Sequence, residues 1–120
     1  MNFESFYWHD AIIKNIVINR NRPGIRDEVE MEIIFPNNER VVFVFEGVYW
    51  IRMNLNFGII ADETILQACL LEKDDKDLIN ICSLWKGNVS STELNVYEFL
   101  LNSMGGKIKI IARKFKTDRL

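Results

Sequence analysis

From Asp27 to Phe35 apolar and acidic side chains alternate, unbroken between Glu28 and Ile33, with Val29, Met31, Ile33 and Phe35 on one parity and Glu28, Glu30 and Glu32 on the other. A strand turns successive side chains to opposite faces, whereas a helix repeats every 3.6 residues. This order therefore suits only a strand with one face in a core and an acidic face in water. Arg40 to Glu46 repeats the pattern with Val41, Phe43 and Phe45. For that row to join Ile33 and Met31, the intervening "PNNE" loop must have odd length, because a slip of one residue reverses every side chain. A hairpin loop of three or five residues is expected, with Asn38 left-handed.

Most of the remaining chain is also period two. Ala11 to Arg20 is rich in Ile and Val and ends at "NRNRPGIRD", where Pro23 and Gly24 fit the central positions of a type II turn. Val48 to Phe57 carries two rows. Tyr49, Ile51, Met53, Leu55 and Phe57 belong in the core; Val48, Trp50, Arg52, Asn54 and Asn56 form a polar face with a tryptophan in it. Residues 62–72 fit two patterns. Asp62 can cap a short helix holding Ile65, Leu66 and Cys69, or Ile65, Gln67, Cys69 and Leu71 can line a strand; a turn followed by a short strand is favoured. Leu78, Ile81, Cys82 and Trp85 make an i, i+3, i+4, i+7 stripe with acidic residues before it and Gly87 after it. That predicts a helix near residues 76–86, packed across the sheet. "ELNVYEFLLN" and "KIKIIARKF", joined by "SMGG", read as a closing hairpin with Glu98 on the face of Lys109 and Arg113, and Tyr97, Phe99 and Leu101 beside Ile108, Ile110 and Ala112. The result is an α+β fold, mainly antiparallel sheet, with residues 1–120 as a single domain.

Composition limits what such a domain can do. The apolar region from Val41 to Ile60 is broken by Glu46, Gly47, Arg52, Asn54 and Asn56, so it lacks the roughly 20 continuous apolar residues of a membrane span. The first ten residues hold Glu4 and Asp10 and no basic start, unlike a secretion signal, and a cytoplasmic location is the expectation. In that compartment Cys69 and Cys82 are expected as free thiols. With one histidine and no CxxC or HxxxH spacing, no metal or other cofactor is expected. "EKDDKD" lacks the glycine and terminal glutamate of a calcium loop. Residues 1–106 carry nine basic and sixteen acidic side chains, a balance of -7, while residues 107–120 carry six basic and one acidic. An acidic body disfavours nucleic acid, which is bound by neutralising phosphates, and matches a basic protein partner better.

Three groups of residues are candidates for function. His9 and Asp10 are neighbours, and in a strand or a helix neighbours diverge, so they are not expected to form a dyad together. A hydrolase would need His9 to work with a carboxylate from elsewhere. Asp62 and Glu63, just beyond a strand end, are the best pair for such acid/base chemistry. Against that stands the ordinary role of such residues as caps and solvated turn positions. Arg20, Arg22 and Arg26 lie around the Pro-Gly turn, but no glycine-rich nest accompanies them, and Glu28 and Glu30 are close enough in sequence to neutralise them. The row Trp50, Arg52, Asn54 and Asn56 has the composition of a protein contact, because Trp and Arg supply hot-spot energy and Asn adaptable hydrogen bonds.

"FYWHDAIIKNIVINR", the acidic alternating strand, "NFGIIADETI" and the closing "LNSMGGKIKIIA" together resemble small bacterial proteins whose N-terminus reads aromatic-His-Asp-x-x-Ile-x-x-Ile. Some of these are similar to immunity proteins found beside polymorphic toxins. The resemblance implies a non-enzymatic antagonist that neutralises a toxin by direct binding. The alternative is a small hydrolase or ligand-binding enzyme using His9 with Asp62 or Glu63.

Overall fold

The computed structural model describes residues 2 to 119. Its six strands are β1 (Ile12–Arg22), β2 (Arg26–Ile34), β3 (Arg40–Asn54), β4 (Glu63–Leu71), β5 (Asn95–Leu101) and β6 (Lys107–Arg119), with one α-helix, α1 (Lys76–Leu84), between β4 and β5. Every strand pair is antiparallel. The class is the expected α+β with mainly antiparallel sheet, and residues 63–71 are strand. The order β1-β2-β3-β6-β5-β4 returns to β1, so the sheet closes into a barrel. Period-two patterning carries no signal for closure, because inward and outward residues alternate in open and closed sheets alike.

Local chemistry sets the hairpins. Ile25 N–H donates to Arg22 O at 3.1 Å around Pro23 and Gly24, and Gly24 has φ +78°, the conformation that a type II turn demands of its third residue. Asn38 is left-handed at φ 69°, Asn38 N–H donates to Phe35 O at 2.8 Å, and Ile33 faces Val41 across the hairpin. In the last hairpin Glu98 lies opposite Lys109 and Phe99 opposite Ile108.

Two bulges alter the expected faces. Arg40–Asn54 is one strand rather than two, and Val48 pairs with Ala112 while Trp50 pairs with Ile111, leaving Tyr49 as the extra residue. Gly47, at φ +63°, permits the bend beside it. The bulge corrects two assignments: Tyr49 leaves the core row for the outer face, and Val48 leaves the polar row for the barrel interior, where Ile51, Met53 and Leu55 pack as expected. Phe57 lies beyond the strand and is 87% exposed, so it is not a core residue. In β4, Ile65 pairs with Leu101 and Gln67 with Leu100, which makes Leu66 the extra residue and sends Ile65 and Ala68 inward in place of a continuous Ile65, Gln67, Cys69, Leu71 row. The acidic face of β2 also departs from expectation. Glu28 is 9% exposed, held by Arg26 Nε at 2.5 Å, and Glu32 accepts from Asn15 Nδ2 at 3.0 Å.

The core has two layers. Inside the barrel, Phe3, Phe6 and Trp8 enter from the segment before β1 and meet Phe35, Phe43, Phe45, Tyr97, Phe99 and Phe115. Trp8 spends its one donor on Phe3 O at 2.8 Å, so the indole is buried with its polar atom satisfied. Outside, Leu78 and Ile81 of α1 pack with Val89, Leu94, Val96 and Ile111. Asp75 caps the helix by accepting from Asp77 N and Leu78 N, both at 3.1 Å.

Candidate functional site

The aromatics before His9 fill the barrel, and the chain turns outward after Trp8. His9 and Asp10 are both exposed, at 58% and 64% of their side chains, and His9 Nε2 comes within 3.6 Å of Asp10 Oδ2. The expectation that these neighbours diverge is therefore corrected. Asp10 is left-handed at φ 66°, so neither strand nor helix geometry governs the pair. The other ring nitrogen, Nδ1, lies 3.1 Å from Leu66 O. Asp10 N–H donates to Ile65 O and Ile65 N–H to Ala11 O, each at 2.8 Å, so this corner is fastened to the start of β4.

Asp62 and Glu63 are engaged separately. Asp62 Oδ1 receives Lys14 Nζ at 3.1 Å, while Glu63 Oε1 receives Ser103 Oγ at 2.5 Å. Among the described residues no hydrogen bond or ion pair joins His9 to either carboxylate. Cys69 and Cys82 are free thiols, and burial pushes the Cys69 thiol above its ordinary pKa.

The row Trp50, Arg52, Asn54 and Asn56 divides. Trp50 is half-buried against the outer layer of α1, and the Arg52 guanidinium lies over its ring at 4.8 Å while reaching Asp77 Oδ1 at 3.4 Å. Beneath that helix end Lys109 is 6% exposed, with Nζ 2.7 Å from Asp75 Oδ1 and 2.6 Å from Asp77 Oδ2. The hydrogen bond from Lys109 holds the Asp77 carboxyl below the usual range. Burial works against the Lys109 ammonium, yet its bonds to Asp75 and Asp77 prevail and raise its pKa. Trp50 is thus committed to seating α1, whereas Arg52 and Asn54 remain exposed.

Asn56 has a different task. Its Nδ2 donates to Ser103 Oγ at 3.0 Å and Met104 O at 2.8 Å, tying the loop after β3 to the β5–β6 turn. That tie brings together two loops that carry exposed apolar residues, of which parity assigns Phe57 to the core and gives the others no place. Phe57 is 87% exposed, Ile59 61%, Ile60 104% and Met104 94%. The signal in the sequence is the apolar run "FGII", which continues after the alternation of β3 has stopped and so has no strand face to belong to.

The basic C-terminal stretch is largely neutralised within the fold. Lys107 reaches Glu98 at 3.1 Å, Arg113 reaches Glu93 at 3.1 Å, Lys116 reaches Glu46 at 3.6 Å, and Arg119 pairs with Glu39. Among the described residues no group of three or more His, Cys, Asp or Glu side chains is arranged to hold a metal ion, and no helix is long and apolar enough to cross a membrane. No family model, curated protein or solved structure matches the chain.

Proposed function

We propose that this chain is a protein-binding module of the immunity type, which neutralises a toxin domain by seating against it. The observation that carries the reading is the apolar cluster at one end of the barrel. Phe57, Ile59, Ile60 and Met104 stand in water on two loops tied together by Asn56. Grouped exposed apolar side chains of this kind mark contact surfaces, whereas scattered single ones need no explanation. Asn54 and Arg52 follow along β3 as the polar rim, and the chain's formal net charge of -2 gives a small preference for a partner with a basic surface.

The test is binding and inhibition measured against toxin domains encoded beside the gene. Ile60→Asp should leave folding within about 0.5 kcal/mol, because the side chain is in solvent. The same change should cost about 2 kcal/mol or more of binding if Ile60 is an anchor. Wild-type affinity in an Ile60→Asp, Phe57→Ser variant would remove this end of the barrel from the contact. Failure to bind or inhibit any neighbouring toxin would defeat the immunity reading.

A further inference from the structure

We propose that the barrel wall has an open seam between β1 and the second half of β3, and that the seam takes an extended segment of the partner protein as an added strand. The inference rests on the protein-binding reading and specifies how the partner is held.

Closure of the barrel is uneven. β1 pairs with β2 from Ile12 to Arg22, but on its other side it meets β4 only at Ile12 and Ile13. β3 meets β2 only from Arg40 to Glu46, and beyond Gly47 it pairs with β6 alone. Among the described residues, therefore, Lys14 to Arg22 of β1 and Val48 to Asn54 of β3 each have one edge without a strand. The two edges face the same space. One cavity of about 330 Å³ is lined by Ile13, Ile16, Leu55 and Phe57, and a second of about 310 Å³ by Ile18, Arg20, Val48 and Ile51. A third, of about 830 Å³, lies at the end where Arg20 and Tyr49 meet Trp85.

Ile18 shows what the opening does. It lies opposite Val29, which is 2% exposed on the interior face, yet Ile18 is 43% exposed, because no strand closes the wall beside it. An edge that presents backbone N–H and C=O groups next to an apolar cleft supplies both parts of strand addition. The main chain gives affinity, and alternate side chains enter the cavities. Phe57 lines the cleft and belongs to the exposed apolar cluster, so the two surfaces are continuous.

Charge selects the occupant. From Ile12 to Arg22 the strand carries Lys14, Arg20 and Arg22 and no acidic residue. A second copy pairing antiparallel about Val17 or Ile18 would set Lys14 against Arg20 or Arg22, and like charges directly opposite are destabilising. The carboxylates along the seam are already engaged. Asp27 accepts from Gly24 N, Glu28 from Arg26, and Glu63 from Ser103. Lys14 is likewise paired with Asp62, whereas Arg20 and Arg22 have no ion pair among the described residues. The fitting occupant is an apolar extended segment of a partner protein, with a carboxylate at the end beside Arg20.

The probe is a capped heptapeptide of alternating valine and threonine ending in two glutamates, added at millimolar concentration to the intact chain. Backbone amide exchange of residues 14–22 should slow. A version ending in two lysines should bind about tenfold more weakly, and an Arg20→Glu, Arg22→Glu variant should reverse that preference. Arg22 faces Arg26 across the β1–β2 pair, so reversing its charge removes no favourable contact from the fold. A peptide methylated on alternate backbone nitrogens should not bind. Unchanged exchange at residues 14–22 would overturn the proposal, as would protection that needs no peptide and grows with protein concentration, which would make the occupant a second copy. Protection confined to residues 55–62 would sink strand addition while leaving protein binding intact. Uptake in the seam by a chain that no neighbouring toxin engages would do the opposite.

Discussion

Lys109→Met tests whether one buried ammonium fastens α1 to the barrel. The side chain of Lys109 is 8% exposed, and its partners Asp75 and Asp77 are 12% and 19% exposed. Methionine keeps most of the stem and removes the charge, leaving two carboxylates side by side at the start of the helix. Breaking a buried pair by deleting one partner costs about 3–5 kcal/mol, because the other charge stays buried and uncompensated. Here the residue left behind has some relief, since Asp75 keeps its two backbone donors and Asp77 keeps Arg52. The lower end, about 3 kcal/mol at neutral pH, is therefore expected. The sign with pH comes from the two shifts. Asp77 is held below its ordinary range, so its contribution is complete above about pH 4 and is lost as pH falls through the folded value. Lys109 is held above its ordinary range, so its contribution is present below about pH 10 and is lost as pH rises through the folded value. Urea unfolding of both proteins should show a gap near 3 kcal/mol at neutral pH that narrows below about pH 4, where protonation of Asp77 removes the charge that Lys109 offsets. A gap under about 1 kcal/mol, unchanged between neutral and acid pH, would refute the buried-fastener account.

Gly47→Ala should cost about 1–3 kcal/mol, from the left-handed backbone and from a Cβ placed 2.8 Å from Arg113 Cδ, a side chain already tied to Tyr49 and Glu93. Gly24→Ala, left-handed but in open space, supplies the control, and equal losses in urea melts would show that the Arg113 contact adds nothing. Both thiols should label fully in the unfolded, unreduced chain, with Cys69 slow in the native state because burial raises its pKa; an unfolded chain that resists labelling would demonstrate a bridge. His9→Ala should lower stability by about 1 kcal/mol or less through loss of the contact to Leu66 O, with toxin inhibition retained. Lost inhibition with unchanged melting would return His9 to the functional site.

Local pattern was legible where a single strand face decides it. Parity placed Val29, Met31, Ile33, Val41, Phe43 and Phe45 together, and all six are buried. The helix stripe was legible for the same reason, with Leu78 and Ile81 turned inward. The features that escaped depend on single inserted residues and on distant pairings. Tyr49 and Leu66 are extra residues whose only local trace is a nearby glycine in one case and nothing in the other; the first exchanges the faces of Val48 and Tyr49, and the second shifts the inward row from Ile65 to Ala68. Trp50 and Arg52 read as a contact because composition cannot tell a tryptophan facing a partner from one facing the chain's own helix. Asp77, which pairs with Arg52, lies 25 residues further on. The same limit hides the seam, since β1 reads as one strand from end to end while its pairing with β4 stops at Ile13. A strand's own sequence states which side chains it buries; whether its edge is satisfied is decided by the length of another strand. The exposed loop illustrates the converse. "FGII" is apolar without a face to join, and that mismatch between composition and period was the one trace of the outward-facing cluster on which the proposed binding role rests.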